Sequence, residues 1–184
     1  EARDRVREGA REIMLLGQTV NSYRSGSTRF ADLRKAVSEV DGVDRVRFIS
    51  PHPYYMSDPV IETMLEAPEV CEWIHLPVQS GSNTMLKQMM RNYTREQYLS
   101  LVEKMRQAMP KMTLSTDIIV GYPGETGADF RETLTLINEA QLAAAKSERR
   151  FVPLATVPLQ DGARAASVLK GAIAAGFPGV MIAT

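Results

Sequence analysis

The order of the apolar runs constrains this chain more than any other feature. Six short segments have the length and the branched or aromatic content of strands: "EIMLLG" (12–17), "RVRFIS" (45–50), "EWIHLPV" (72–78), "TLSTDIIVG" (113–121), "FVPLATV" (151–157) and "GVMIAT" (179–184). Helical patterns fill the gaps. "RFADLRKAVSEV" sets Phe30, Leu33, Ala36, Val37 and Val40 on one face. "SDPVIETMLEA" opens with Ser57 as a cap and Pro59 in the first turn. "TREQYLSLVEKMRQAM" has Thr94 and Gln97 at capping-box spacing. "TGADFRETLTLINEAQLAAA" starts near Thr126, and "GARAASVLKGAIAAG" ends at Gly176, a C-cap glycine. Alternation of strand and helix calls for parallel strands joined by right-handed crossovers. The expected fold is α/β: alternating βα units and a parallel sheet of six strands, forming a small or incomplete (β/α) barrel or an open sheet. Eight units would make a full barrel.

In either architecture ligands gather at the carboxyl ends of the strands. The first four runs are followed by "GQTVNSY", "SPHPYYMSD", "QSGSN" and "GYPGET", turns rich in Gly, Ser, Asn, Gln and aromatic residues; "PLQDG" after the fifth is plainer. "QSGSN" (79–83) offers an amide, two hydroxyls and the N–H groups of a helix start, a grouping that suits an anion and equally a well-capped βα turn. "GYPGET" (121–126) permits a tight turn near a ligand but lacks the lysine and spacing of a P-loop. Thr113, Ser115 and Asp117 share one strand face, with Asp117 either facing a polar lumen or tied to neighbouring hydroxyls. His52, between two prolines, is a candidate general base or an ordinary loop histidine.

The remaining signals have plainer readings. The single cysteine, Cys71, shares a strand face with Trp73 and His75 and reads as a buried strand residue. It supplies neither a disulfide nor a four-ligand zinc site. Met85, Met89, Met105 and Met109 fall at helical spacings and read as core. "MRNYTR", with Arg91, Tyr93 and Arg95, is a solvated helix approach or a place where RNA is touched by charge and stacking. Lys plus Arg equals Asp plus Glu, so the formal charge is zero. That balance argues against a dedicated nucleic-acid binder without excluding a local basic strip. The 184 residues suit one domain, no apolar run approaches a membrane span, and the charged "EARDRVREGAR" is not a targeting signal. A protein of cytoplasmic type is expected.

"EIMLLGQTVNSY", "RVRFISPHP", "CEWIHLPVQSGSNTMLKQMMRNYTREQYL" and "STDIIVGYPGETGADFRETL" together resemble the radical S-adenosylmethionine core of the MiaB-type tRNA methylthiotransferases, over residues from about 12 to 138. The resemblance implies a partial barrel of six βα units, a 4Fe-4S cluster, bound S-adenosylmethionine, and insertion of sulfur and methyl into a tRNA nucleoside. It sets Gln18, Asn21, Gln79, Ser80 and Ser82 around the cofactor or substrate cavity, with Asp117 facing it. Thr19 stands where the family usually has Asn, and Tyr122 where it has Phe. The family's C-x-x-x-C-x-x-C loop precedes the first residue of this chain, and one cysteine cannot replace three thiolates.

Residues 151–184 resemble a strand–helix–strand piece of the amidohydrolase-type decarboxylases related to aminocarboxymuconate-semialdehyde decarboxylase, through "VPLQD" and "GFPGVMIAT". The two resemblances together imply a chimera: a radical-SAM-derived part over 1–140, a junction at 141–150, and an amidohydrolase-derived part over 151–184. The expectation is an engineered or recombined scaffold without catalytic activity. Its six inherited cofactor-site residues would be vestigial, with no catalytic residue, no metal and no cofactor. The alternatives are a tRNA methylthiotransferase fragment, and a small-ligand or nucleotide binder without turnover. No membrane and no strong nucleic-acid partner is expected, while open sheet edges favour a homo-oligomer.

Overall fold

The computed structural model describes residues 1–66 and 73–140, together with the backbone of 154–158 and 179–183. Its elements in chain order are α1 (Ala2–Arg7), β1 (Glu12–Leu15), β2 (Arg24–Ser25), β3 (Thr28–Arg29), α2 (Phe30–Ser38), β4 (Arg45–Phe48) and α3 (Asp58–Glu66). There follow β5 (Trp73–His75), α4 (Asn83–Gln88), α5 (Arg95–Ala108), β6 (Thr113–Ser115), α6 (Gly127–Glu139), β7 (Leu154–Pro158) and β8 (Gly179–Ala183). All six expected strands are present as a mixed α/β arrangement, in small sheets rather than one six-stranded sheet. β1 pairs parallel with β4, β5 pairs with β6, and β7 pairs parallel with β8. The last pairing matches a strand–helix–strand unit; the helix expected between these strands, and Cys71, lie outside the described residues.

The chain divides into two compact units. The first comprises residues 1–76 and 104–114. Here Ile13 faces Val46 across the β1–β4 ladder, and Glu12 bridges both Arg45 (2.9 Å) and Arg47 (3.2 Å). α3 buries Val60, Ile61 and Met64. The buried stripe of α2 is Phe30, Ala31, Arg34 and Val37, not the expected face through Leu33 and Ala36. The difference comes from Arg34, whose long apolar stem takes a core position. Its Nη1 donates to the Thr63 carbonyl, and burial lowers its pKa to about 10. Phe30 meets Phe48 edge to face at 5.2 Å.

A short antiparallel hairpin interrupts the expected alternation. β2 and β3 pair Arg24 with Arg29 and Ser25 with Thr28, leaving Gly26 and Ser27 as the turn. Gly26 has φ +58°, the left-handed conformation that two-residue hairpin loops demand. Each strand has two residues, too short for its alternation to stand out from a loop.

The second unit comprises residues 77–103 and 115–184. The capping box expected at α5 is present and reciprocal: Gln97 Oε1 accepts from Thr94 N (2.8 Å), and Thr94 Oγ1 accepts from Gln97 N (3.3 Å). Tyr98 is fully buried on this helix. α6 begins at the expected Thr126 cap, with Asp129 completing a second box. Met85, Met105 and Met109 are buried, as the helical spacing implies, whereas Met89 is half-buried. The strand expected across "TLSTDIIVG" is shorter. β6 ends at Ser115, and pairing resumes only at a parallel bridge between Gln79 and Ile118. Pro77, which has no N–H, stands in the segment that leads to this bridge, and the next amide, Val78, donates to the Thr116 hydroxyl at 2.9 Å.

Candidate functional site

The turns after the strands carry the polar groups, and each unit fastens its own. In the first unit, Asn21 lies in a 3-10 turn (Val20–Ser22) that follows β1, and it is 5% exposed. Its amide makes two hydrogen bonds to the backbone of one residue: Nδ2 donates to the His52 carbonyl (3.0 Å), and Oδ1 accepts from His52 N (2.8 Å). The side chain thus imitates a strand partner and locks "TVNS" to "SPHP". His52 Nδ1 accepts from Tyr54 N at 3.3 Å, capping the turn Pro53–Tyr55. That bond requires Nδ1 to be unprotonated, so the neutral ring carries its proton on Nε2. Gln18 is exposed, and its amide has no hydrogen bond among the described residues.

In the second unit, "QSGSN" is held at every position. Gln79 N donates to the Asp117 carbonyl (2.9 Å), and Ile119 N donates to the Gln79 carbonyl (2.8 Å). Gln79 itself has φ +68°, a left-handed conformation that a non-glycine residue adopts at a cost of about 1–2 kcal/mol. Ser80 and Ser82 are buried. Thr133 Oγ1 on α6 accepts from Gly81 N (2.9 Å) and shares a hydrogen bond with Ser80 Oγ (3.3 Å). Ser80 Oγ accepts from Ser82 N (3.1 Å), and Ser82 Oγ donates to Asp129 Oδ1 (2.6 Å). A Cβ on Gly81 would fall 2.5 Å from the Thr133 Cα and 2.6 Å from the Glu132 carbonyl oxygen. Only glycine lets the turn meet the helix backbone this closely.

Asp129 ties this turn to the next one. Its second oxygen accepts from Thr126 N (2.9 Å) and from the Thr126 hydroxyl. The Ser82 hydroxyl, and then Thr126, hold its carboxyl down at about 2. "GYPGET" adjoins it, with Gly121 at φ +79° and Gly124 at φ +85°. Gly121 N donates to Glu125 Oε2, and the Tyr122 hydroxyl donates to the Gln88 carbonyl at 3.4 Å. Tyr93 closes the hub from below. Its hydroxyl donates to the Val78 carbonyl (2.9 Å), and burial raises its pKa to about 12.

The six candidate residues therefore divide by what their side chains do. Asn21, Ser80 and Ser82 hold the turns in shape. Gln18 and Gln79 stand at strand ends with amides that have no described hydrogen-bond partner. Asp117 accepts the Gln79 amide proton through its backbone carbonyl. Gln18 and Asn21 belong to the first unit and the other four to the second. Sequence reading passed over Thr116, Asp129 and Thr133, which complete the hub. The signal for Asp129 was its place three residues after Thr126, the box spacing; nothing local marked Thr116 or Thr133.

The iron–sulfur cluster is testable against these residues. Among the described residues no group of three or more His, Cys, Asp and Glu could hold a metal ion. The 184 residues contain one cysteine. A cluster that needs three thiolates does not fit on this stretch alone. Among the described residues no helix is long and apolar enough to cross a membrane.

The family model "Radical SAM superfamily" matches residues 1–137, and the chain belongs to that superfamily. It is 51% identical over 148 residues to a tRNA-2-methylthio-N(6)-dimethylallyladenosine synthase of Carboxydothermus hydrogenoformans, covering 79% of this chain and 34% of that protein. Proteins of the same name from Clostridium botulinum (strain Loch Maree / Type A3) and Alkaliphilus oremlandii are 49% identical over 148 and 150 residues; in both cases 79% of this chain is covered, with 33% and 31% of those proteins. The chain thus spans about a third of the length of the curated relatives it matches.

These matches overturn the expectation of an engineered or recombined scaffold without catalytic activity. Identity at half the positions over 148 residues goes beyond what a shared fold requires; it marks a radical SAM sequence similar to proteins named as synthases. The lone cysteine misled because it was read as the inventory of a whole protein, while the chain matches a third of its relatives. The amidohydrolase-type resemblance over 151–184 is not shown by these comparisons, and the chimera that rested on it falls with it.

Proposed function

We propose that this chain is the central part of a tRNA methylthiotransferase of the radical SAM type, acting on an N6-dimethylallyladenosine nucleoside to place a methylthio group at C2. The observation that carries this reading is the 51% identity over 148 residues to a synthase of that name. The geometry supports it. The turns after the strands are fastened from behind by Asn21, Ser80, Ser82 and Thr133. Such fastening is what a reactive site needs to hold its contacting groups in place. In this reading Gln18 and Gln79, whose amides have no described partner, touch cofactor or substrate. Gln79 does so from a left-handed backbone, a conformation that clusters at functional sites. S-adenosylmethionine and a 4Fe-4S cluster are the cofactors, with the cluster thiolates supplied by the longer protein. The partial barrel implied by the resemblance and a cytoplasmic setting belong to the same proposal.

The test is a segment exchange. Residues 1–137 replace the matching segment of the Carboxydothermus synthase, and the hybrid is produced in cells that lack their own synthase. Mass spectrometry of digested tRNA reads the product. The expected result is 2-methylthio-N6-dimethylallyladenosine at a level comparable to the parent enzyme. A hybrid that folds and loads its cluster yet leaves the nucleoside unmodified would overturn the reading. Gln79→Ala in the active hybrid is expected to lower the modification rate by tenfold or more, on the order seen when a positioning contact is removed.

A further inference from the structure

The hairpin β2–β3 sets two arginines face to face. Arg24 and Arg29 are register partners in an antiparallel pair, which brings their Cα atoms to about 4.5–5.5 Å and their side chains to one face. Like charges in that arrangement repel. Both residues are exposed, and among the described residues neither guanidinium has an ion pair or hydrogen bond. The stretch from Ser22 to Ala31 contains no acidic residue. The next carboxylate, Asp32, accepts from the Arg29 backbone N at 2.8 Å and is committed to the start of α2. The repulsion is therefore left uncompensated within the unit. The flanking residues are exposed too: Ser25 and Thr28, a register pair on the opposite face of the hairpin, Ser27 in the turn, and Tyr23, which is 39% exposed. Among the described residues a Cβ on Gly26 would meet nothing within 4 Å.

We infer that this hairpin is an RNA contact. Arg24 and Arg29 would grip backbone phosphate together, with Tyr23 available to stack on a base. Two guanidinium forks on one face suit phosphate oxygens, and an exposed tyrosine next in sequence suits an unstacked base. The contact is made without sequence information, so it fixes the position of the RNA rather than selecting it. The inference rests on the tRNA methylthiotransferase reading above, and supplies for it a binding element outside the strand-end turns.

The test measures binding of a fluorescently labelled tRNA anticodon stem-loop to the full 184-residue chain by anisotropy, over a series of salt concentrations. The unaltered chain is compared with Arg24→Gln/Arg29→Gln and with Arg24→Lys/Arg29→Lys. The glutamine pair is expected to weaken binding roughly tenfold and to flatten the plot of log affinity against log salt by about 1.4–1.8, the loss of two phosphate contacts. The lysine pair should keep most of the slope. The glutamine pair should melt at the same temperature as the parent or higher, since the repulsion is gone; an unfolded variant would melt lower, which keeps the binding loss interpretable. An unchanged affinity and slope in the glutamine pair overturns the hairpin contact and leaves the methylthiotransferase reading standing. No RNA binding by the unaltered chain, alongside an active segment-exchange hybrid, overturns the contact alone; the same result with an inactive hybrid removes both.

Discussion

Ser80-Gly81-Ser82 and Ser25-Gly26-Ser27 are the same tripeptide in two opposite circumstances. The first is buried, with both hydroxyls and the glycine N–H hydrogen-bonded to the turn itself or to Thr133 and Asp129. The second is exposed at the tip of a hairpin between two unpaired arginines. The contrast is produced by neighbours. α6 brings its backbone against Gly81, so the polar groups around it need partners inside the protein or they would be stranded. None of the described residues approaches Gly26, whose surroundings are left to water. A run of small polar residues therefore says little about binding until the element packed on it is known.

The largest effect that sharpens this contrast is expected from glycine substitution. Gly81→Ala forces a methyl into the α6 backbone and should cost about 3 kcal/mol, the upper range of overpacking. Gly26→Ala meets only the left-handed backbone penalty, about 1 kcal/mol. Urea denaturation of both variants measures the difference; equal costs would break the comparison. Next comes Thr133→Val, which keeps the shape but removes the acceptor of Gly81 N–H and the partner of Ser80 Oγ. It should cost about 2 kcal/mol, whereas Ser25→Ala in the hairpin should fall within about 0.5 kcal/mol of the parent.

The Asp129 carboxyl supplies the pH test. Its pKa falls from an ordinary 3.8 to about 2, because the Ser82 hydroxyl and then Thr126 donate to the ionised form. A carboxylate with a depressed folded pKa stabilises fully above its unfolded value, and the stabilisation is lost as pH falls through the folded value. Stability of the unaltered chain should therefore drop between about pH 4 and pH 2, while Asp129→Asn shows a shallower acid limb. Urea midpoints across that range read it, and parallel limbs would mean that Asp129 does not hold the turn. The smallest effect is at the hairpin: Arg24→Gln is expected to raise stability by a few tenths of a kcal/mol by removing a facing like charge. A measurable loss would show that the arginine is structural.

Much of the scaffold was legible because its signals are local. The apolar runs, the Thr94–Gln97 box and the Thr126 cap each depend on residues within a few positions of one another; both caps appear where the pattern puts them, and each run holds a strand, several of them shorter than the run. The α2 face was misjudged because Arg34 counts as polar in a pattern, while its stem fills core space and its head reaches a carbonyl on α3. The hairpin was missed because strands of two residues carry no period. At the turns, residue types pointed to the right segments but not to roles. That Asn21 binds the backbone of His52, or that Ser80 and Ser82 face inward, depends on partners 31 to 53 positions away. The functional misjudgement had another cause: a count of cysteines was treated as a property of a whole protein.

The most direct test of the account is hydrogen exchange on the two Ser-Gly-Ser segments of the same chain, with and without a tRNA anticodon stem-loop. The amides of Gln79, Ser80, Gly81 and Ser82 are expected to exchange slowly in both states, because each is hydrogen-bonded inside the unit. Residues 22–29 are expected to exchange fast alone and to slow when RNA is bound. Fast exchange at 79–82, or indifference of 22–29 to saturating RNA, would contradict the assignment of one turn to the scaffold and the other to the substrate.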